Sequence, residues 1–95
     1  MLSIKKTLLA IIEQHIPTCK IILFGSRARQ THANGADFDI GIDAGIKIPH
    51  KTMLQISSAI EDSNIPVLVD IVDLNNVSES FLAEITKDAV IWKQK

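Results

Sequence analysis

Gly25 and Ser26, a ten-residue spacer, and then Asp37 and Asp39 are the residues whose types and spacing could do chemistry in this chain. An apolar run, residues 20–24 (KIILF), leads directly into Gly25-Ser26, where a missing Cβ and exposed backbone N–H groups would let a phosphate approach closely. The acids open a second run, DFDIGID. On an extended chain Asp37 and Asp39 point to one face while Phe38, Ile40 and Ile42 point to the other. Two adjacent carboxylates repel, and at least one is pushed toward its neutral form unless a cation intervenes. Mg²⁺ suits such a pair, because it takes hard oxygen ligands and completes its shell with substrate phosphates and water. A phosphate cradle followed by a carboxylate pair therefore predicts metal-assisted transfer of a phosphate-containing group. A bare pair of acids two apart would more simply be solvent-facing; the Gly-Ser at this spacing is what makes the pattern specific.

A third acid, Asp70, sits inside PVLVDIVD. An unpaired charge in a buried strand costs several kcal/mol, so Asp70 needs either a cation or a basic partner. Asp73, followed by Leu74-Asn75-Asn76, reads as the strand's exit and is expected at the surface. Ser26 can offer its hydroxyl and N–H to phosphates, cap the following helix, or both. Arg27 and Arg29 lie two apart in an expected helical turn and do not share a face, so at most one addresses a triphosphate. Arg29 is the choice, with Arg27 read as a surface residue. His15, His32 and His50 lack metal-ligand spacing. His32, between the two motif halves, reads as solvated, and Trp92 as a packing residue.

The elements that must position these groups follow from periodicity. Ile4, Leu8, Ile11, Ile12 and Ile16 recur at helical spacing, with Ser3 as N-cap and Pro17 as stop, predicting a helix over about residues 3–16. A strand over 20–24 and a short helix opening at 26–29 come next, the helix dipole favouring an anion at Gly25-Ser26. Residues 31–35 form a polar loop with Asn34-Gly35 as a turn signal. Residues 38–42 are a second strand. Pro49 suits the first turn of a helix to about residue 63, with Met53, Ile56 and Ile60 buried. Residues 66–73 read as a third strand buried on both faces except near its acid. Residues 78–87 read as a last helix with Phe81, Leu82 and Ile85 inward, and 90–92 as a short final strand. The order predicts an α/β (α+β) fold, a small mixed sheet with helices packed against it.

Ninety-five residues make one small domain, 1–95. Such a chain buries roughly 60 to 70% of its unfolded surface, so its clefts are shallow and a substrate is better brought by a partner macromolecule than enclosed. A net charge of −1 with interspersed signs and four aromatic side chains argues against a long nucleic-acid template. Cys19 is the one cysteine, which excludes an internal disulfide. Glu13 interrupts the apolar start, and no stretch reaches the roughly 18 apolar residues of a membrane span, so a cytoplasmic protein is expected. The high apolar fraction suggests a covered patch, hence a homo-oligomer or a heteromeric complex.

The stretch GSRARQTHANGADFDIGID resembles the signature of the DNA polymerase β-like nucleotidyltransferases, and specifically their minimal nucleotidyltransferase (MNT) branch, whose usual form is GSRARG, a variable stretch, then SDIDL. The resemblance is close over residues 21–43 and looser elsewhere, including Val69-Asp70-Ile71-Val72-Asp73 and Ala89-Val90-Ile91-Trp92. Two departures stand out: Gln30 replaces the usual glycine after the second arginine, and Ala36 the serine before the first aspartate. Neither removes an expected metal ligand.

The resemblance implies a polymerase β-like fold with ATP as substrate and one or two Mg²⁺ held by Asp37, Asp39 and Asp70, which would be both the metal and the catalytic residues. Gly25, Ser26 and Arg29 would bind the nucleotide. It further implies transfer of AMP to a hydroxyl, expected to be a tyrosine, of a small helical HEPN protein, the pair acting as toxin and antitoxin. Two other readings remain: a module that neutralises its partner by contact without turnover, which Gln30 and Ala36 would favour, and a small-molecule nucleotidyltransferase of aminoglycoside type completed by a helical subunit.

Overall fold

The computed structural model of the chain describes residues 3–30 and 37–95; the Asn34-Gly35 turn, His32 and Ala36 lie outside them. Helix α1 (Ile4–His15) starts where Ser3 caps it, the Ser3 hydroxyl accepting from Lys6 N at 3.1 Å, and it ends two residues before Pro17. Strand β1 (Lys20–Phe24) runs into a four-residue helix, α2 (Ser26–Arg29). Strand β2 (Phe38–Asp43) is followed by α3 (His50–Asp62), β3 (Val69–Asp73), α4 (Glu79–Thr86) and β4 (Val90–Lys93). The sheet order is β3-β2-β1-β4, with β1 antiparallel to both β2 and β4, and β2 parallel to β3. A parallel pair needs a long crossover, and α3 supplies it.

One sheet face meets α1 and α3 through Leu8, Ile12, Ile21, Ile40, Ile42 and Ile56, all fully buried. Each such side chain contributes about 1.5–3 kcal/mol relative to exposure, which makes this face the main source of stability. The other face is thinner: Ile22 and Phe24 pack with Ile85 of α4, joined by Val72, Leu74 and Leu82. Trp92 packs on the first face, its ring 6.1 Å from that of Phe38, as a structural residue should.

Four expectations need correction. Pro49 is the N-cap of α3 rather than part of its first turn, its ψ of 139° being extended. The third strand is shorter than 66–73 and is not buried on both faces: β3 is an edge strand, and Asp70 is exposed. Phe81 does not point fully inward but is 42% exposed. Asp73, expected at the surface, is 7% exposed.

Asp73 is buried because its carboxylate accepts two backbone N–H groups, from Ile48 at 2.7 Å and from Asn75 at 2.9 Å. These bonds tie the end of β3 to the connection ahead of α3. Removing the acceptor in Asp73→Ala leaves the buried Ile48 N–H without its partner, and the expected loss is about 2–3 kcal/mol. The urea midpoint should fall while the slope of the transition stays unchanged; an unchanged midpoint would contradict the assignment.

Candidate active site

Registration of the strands brings the acids together. Ile40 and Ile42 are committed to the α1–α3 core, so Asp39 projects from the opposite face. Across the parallel pair Asp39 is matched with Asp70, and across the antiparallel pair with Phe24. Residues far apart in sequence thus stand side by side, Asp70 on β3, Asp39 on β2 and Phe24 on β1. Asp37, exposed, lies just before β2.

The electrostatics match that geometry. The Asp39 carboxyl is pushed above the ordinary carboxylate range, first by burial and then by the charges of Asp70 and Asp37, with Arg29 pulling the other way. Among the described residues the site is therefore short of positive charge. Among the described residues no three His, Cys, Asp or Glu side chains are already gathered around one point. What the register fixes is the Asp39–Asp70 pair, with Asp37 adding its charge beside it. Hard oxygen donors in mutual repulsion, with one basic residue as partial counterweight, are a donor set that fits Mg²⁺.

Gly25 sits against this pair. Its φ of +77° and ψ of −158° belong to a region that side chains rarely adopt, and a Cβ there would collide with the Asp39 carboxylate. Glycine is therefore needed for two separate reasons, the turn out of β1 and the room for Asp39. Ser26 opens α2 immediately afterwards, and the carbonyl of Gly25 accepts from Arg29 N at 3.2 Å. The turn thus lies beside the acids, as the motif spacing suggested.

The arginines divide as follows. Arg29 is exposed and close enough to influence Asp39. Arg27 is not an ordinary surface residue: its guanidinium stacks on the Phe38 ring, 4.0 Å from the centroid, on the side of β2 away from Asp39. Gln30 closes α2 in the left-handed region at φ 60°, which is why a glycine is usual there. The backbone makes the turn in spite of the side chain. Gln30→Gly should relieve that strain and stabilise the fold by about 1 kcal/mol, read as a higher thermal midpoint; a lower one would show that the Gln30 side chain holds the turn.

Two supporting residues escaped the motif reading. Gly41, on the Asp39 face of β2, leaves room for Ile22 and Leu74, each 2.9 Å from where a Cβ would stand. An isolated glycine inside an apolar strand is a signal of such close approach. Phe81 has no comparable signal, since its spacing with Leu82 and Ile85 is that of a core position; its ring meets Phe24 edge to face with centroids 6.5 Å apart.

A model of the polymerase beta nucleotidyltransferase family matches residues 6–95. No curated protein matches the sequence. Solved structures share the fold. A toxin–antitoxin crystal structure with AMP-PNP superposes with a TM-score of 0.83 at 19% identity, over 98% of this chain and 75% of that one. A complex of tri-AMPylated Shewanella oneidensis HEPN toxin with MNT antitoxin gives 0.75 at 18% identity, over 96% and 70%. The MntA-HepT toxin–antitoxin structure gives 0.74 at 17%, over 96% and 70%. With the family model extending over nearly its whole length and the acids standing beside the glycine-serine turn, this chain belongs to the polymerase beta nucleotidyltransferase family, in the fold shared by the MNT toxin–antitoxin complexes.

Proposed function

We propose that the chain is an MNT antitoxin that transfers AMP from ATP to a hydroxyl of a small helical HEPN protein, expected to be a tyrosine. The observation that carries this reading is the cross-strand match of Asp39 with Asp70 directly beside the Cβ-free position of Gly25. The AMP-PNP in one structure of this fold and the tri-AMPylated HEPN toxin in another favour ATP as donor and a HEPN protein as acceptor.

Asp37, Asp39 and Asp70 would hold Mg²⁺, which when bound neutralises phosphate charge on both the attacking and leaving sides. Gly25 and Ser26 would receive the β and γ phosphates, and Arg29 would add a positive charge to them. The acceptor oxygen attacks the α phosphorus as the bond to the bridging oxygen breaks; pyrophosphate departs, and the hydroxyl proton passes to Asp70 or to solvent. No side chain of this chain need form a covalent bond, so its work is placement and charge compensation. The domain is small and Asp70 lies open on an edge strand, which suits an acceptor supplied by another protein. Among the described residues no helix is long and apolar enough to cross a membrane.

Incubation with ATP and Mg²⁺, with and without the product of the adjacent gene, followed by mass analysis of both proteins, tests the proposal. A mass gain of AMP on the partner that requires both reagents supports it. If the partner is neutralised with no mass gain, contact replaces chemistry. Transfer to an aminoglycoside with no protein acceptor would instead favour the small-molecule reading.

A further inference from the structure

We infer that the exposed ring of Phe81 is the stacking platform for the nucleobase of the bound nucleotide. The inference rests on the nucleotidyltransferase reading and concerns a residue outside the sequence motif. Phe24 is the last residue of β1, directly before Gly25 and directly opposite Asp39. Side chains opposed across an antiparallel pair have Cβ atoms about 5 Å apart. Phe81, at the start of α4, lies against Phe24 with centroids 6.5 Å apart and planes at 89°. The ring is thus within a nucleotide's length of the carboxylates, on their own sheet face.

The contact with Phe24 fixes the ring, while 42% of Phe81 remains open to solvent. An exposed apolar ring held rigidly beside a charged site gains from a flat, weakly hydrated occupant, and base stacking on an aromatic face is such an interaction. Position decides between the base and an aromatic ring of the acceptor. Across the sheet the order is Asp70, Asp39, Phe24. Asp70, which would take the acceptor hydroxyl's proton, is on the β3 flank of Asp39, whereas Phe81 rests on Phe24, on the β1 flank. That flank is left to the nucleotide.

The test is calorimetric titration of the full chain with ATP and, separately, with inorganic tripolyphosphate, both in Mg²⁺. Tripolyphosphate carries the charge without the base. Phe81→Ala should weaken ATP binding about tenfold and leave tripolyphosphate binding unchanged. Phe81→Leu, which keeps apolar bulk without an aromatic face, should weaken ATP similarly, and Phe81→Trp should retain it. In Phe81→Trp an indole emission change on ATP, absent with tripolyphosphate and absent in the parent, which has only Trp92, would report the stack directly. ATP affinity unchanged in Phe81→Ala, equal loss of both ligands, or a loss confined to transfer onto the acceptor protein would overturn the assignment. A parent chain that binds neither ligand would overturn the nucleotidyltransferase reading as well; a parent that binds both while Phe81→Ala matches it would overturn only the platform.

Discussion

Asp39→Asn is expected to lose AMP transfer by about a thousandfold or more, while melting at a higher temperature than the parent chain in metal-free buffer. Both outcomes have one origin. Asp39 is held above the ordinary carboxylate range by burial and by Asp70 and Asp37, so its ionised form is unfavourable in the folded state. Between the unfolded and the folded pKa the folded chain binds more protons than the unfolded one, and stability falls as pH rises. The penalty is fully present above the folded value. The gain from asparagine should therefore be seen at neutral pH and vanish below the unfolded carboxylate pKa. Mg²⁺ should raise the parent's melting temperature by binding only the folded state, and Asp39→Asn should lose most of that response. Transfer surviving in the variant, or a parent indifferent to Mg²⁺, would remove Asp39 from the metal site. Undiminished neutralisation of the partner by the inactive variant would assign that effect to contact.

Gly25→Ala should be the next most damaging change. The residue's backbone lies in a region costing about 1–3 kcal/mol for a side-chain-bearing residue, and its added Cβ would meet the Asp39 carboxylate. Relief requires either the turn or Asp39 to move. A displacement of about 1 Å can cost about a hundredfold in rate, so transfer should fall at least that far, together with a destabilisation of about 2–3 kcal/mol. Denaturant unfolding measured beside the transfer rate separates the two. A variant as stable and as active as the parent would show that the turn does not press on Asp39.

Much of this arrangement was legible in the sequence because the informative signals are local. Ser3 before a helical stripe, KIILF running into Gly25, and alternating acids on β2 specify α1, β1, the turn and the carboxylate face within short windows. The misreadings share a different cause. Residues 66–73 are apolar enough for a buried strand, but whether a strand is central or at the edge depends on sheet order, which no local window contains. Asp70 and Asp73 exchange their expected environments for that reason: the edge leaves Asp70 open, and the loop before α3 covers Asp73. Phe81 followed its helical periodicity inward, while α4 covers only part of the second face. The Arg27 stack on Phe38 joins two segments whose proximity arises from strand pairing alone.

The buried carboxylate of Asp73 has a consequence for its exposed neighbour three residues earlier. Strand alternation means that a slip of one position between β3 and β2 would turn Asp70 toward the helices and bring Ile71 out beside Asp39. By gripping the amide of Ile48, Asp73 acts as an index pin that permits a single alignment. The chain thus spends one buried aspartate on keeping another in phase with Asp39.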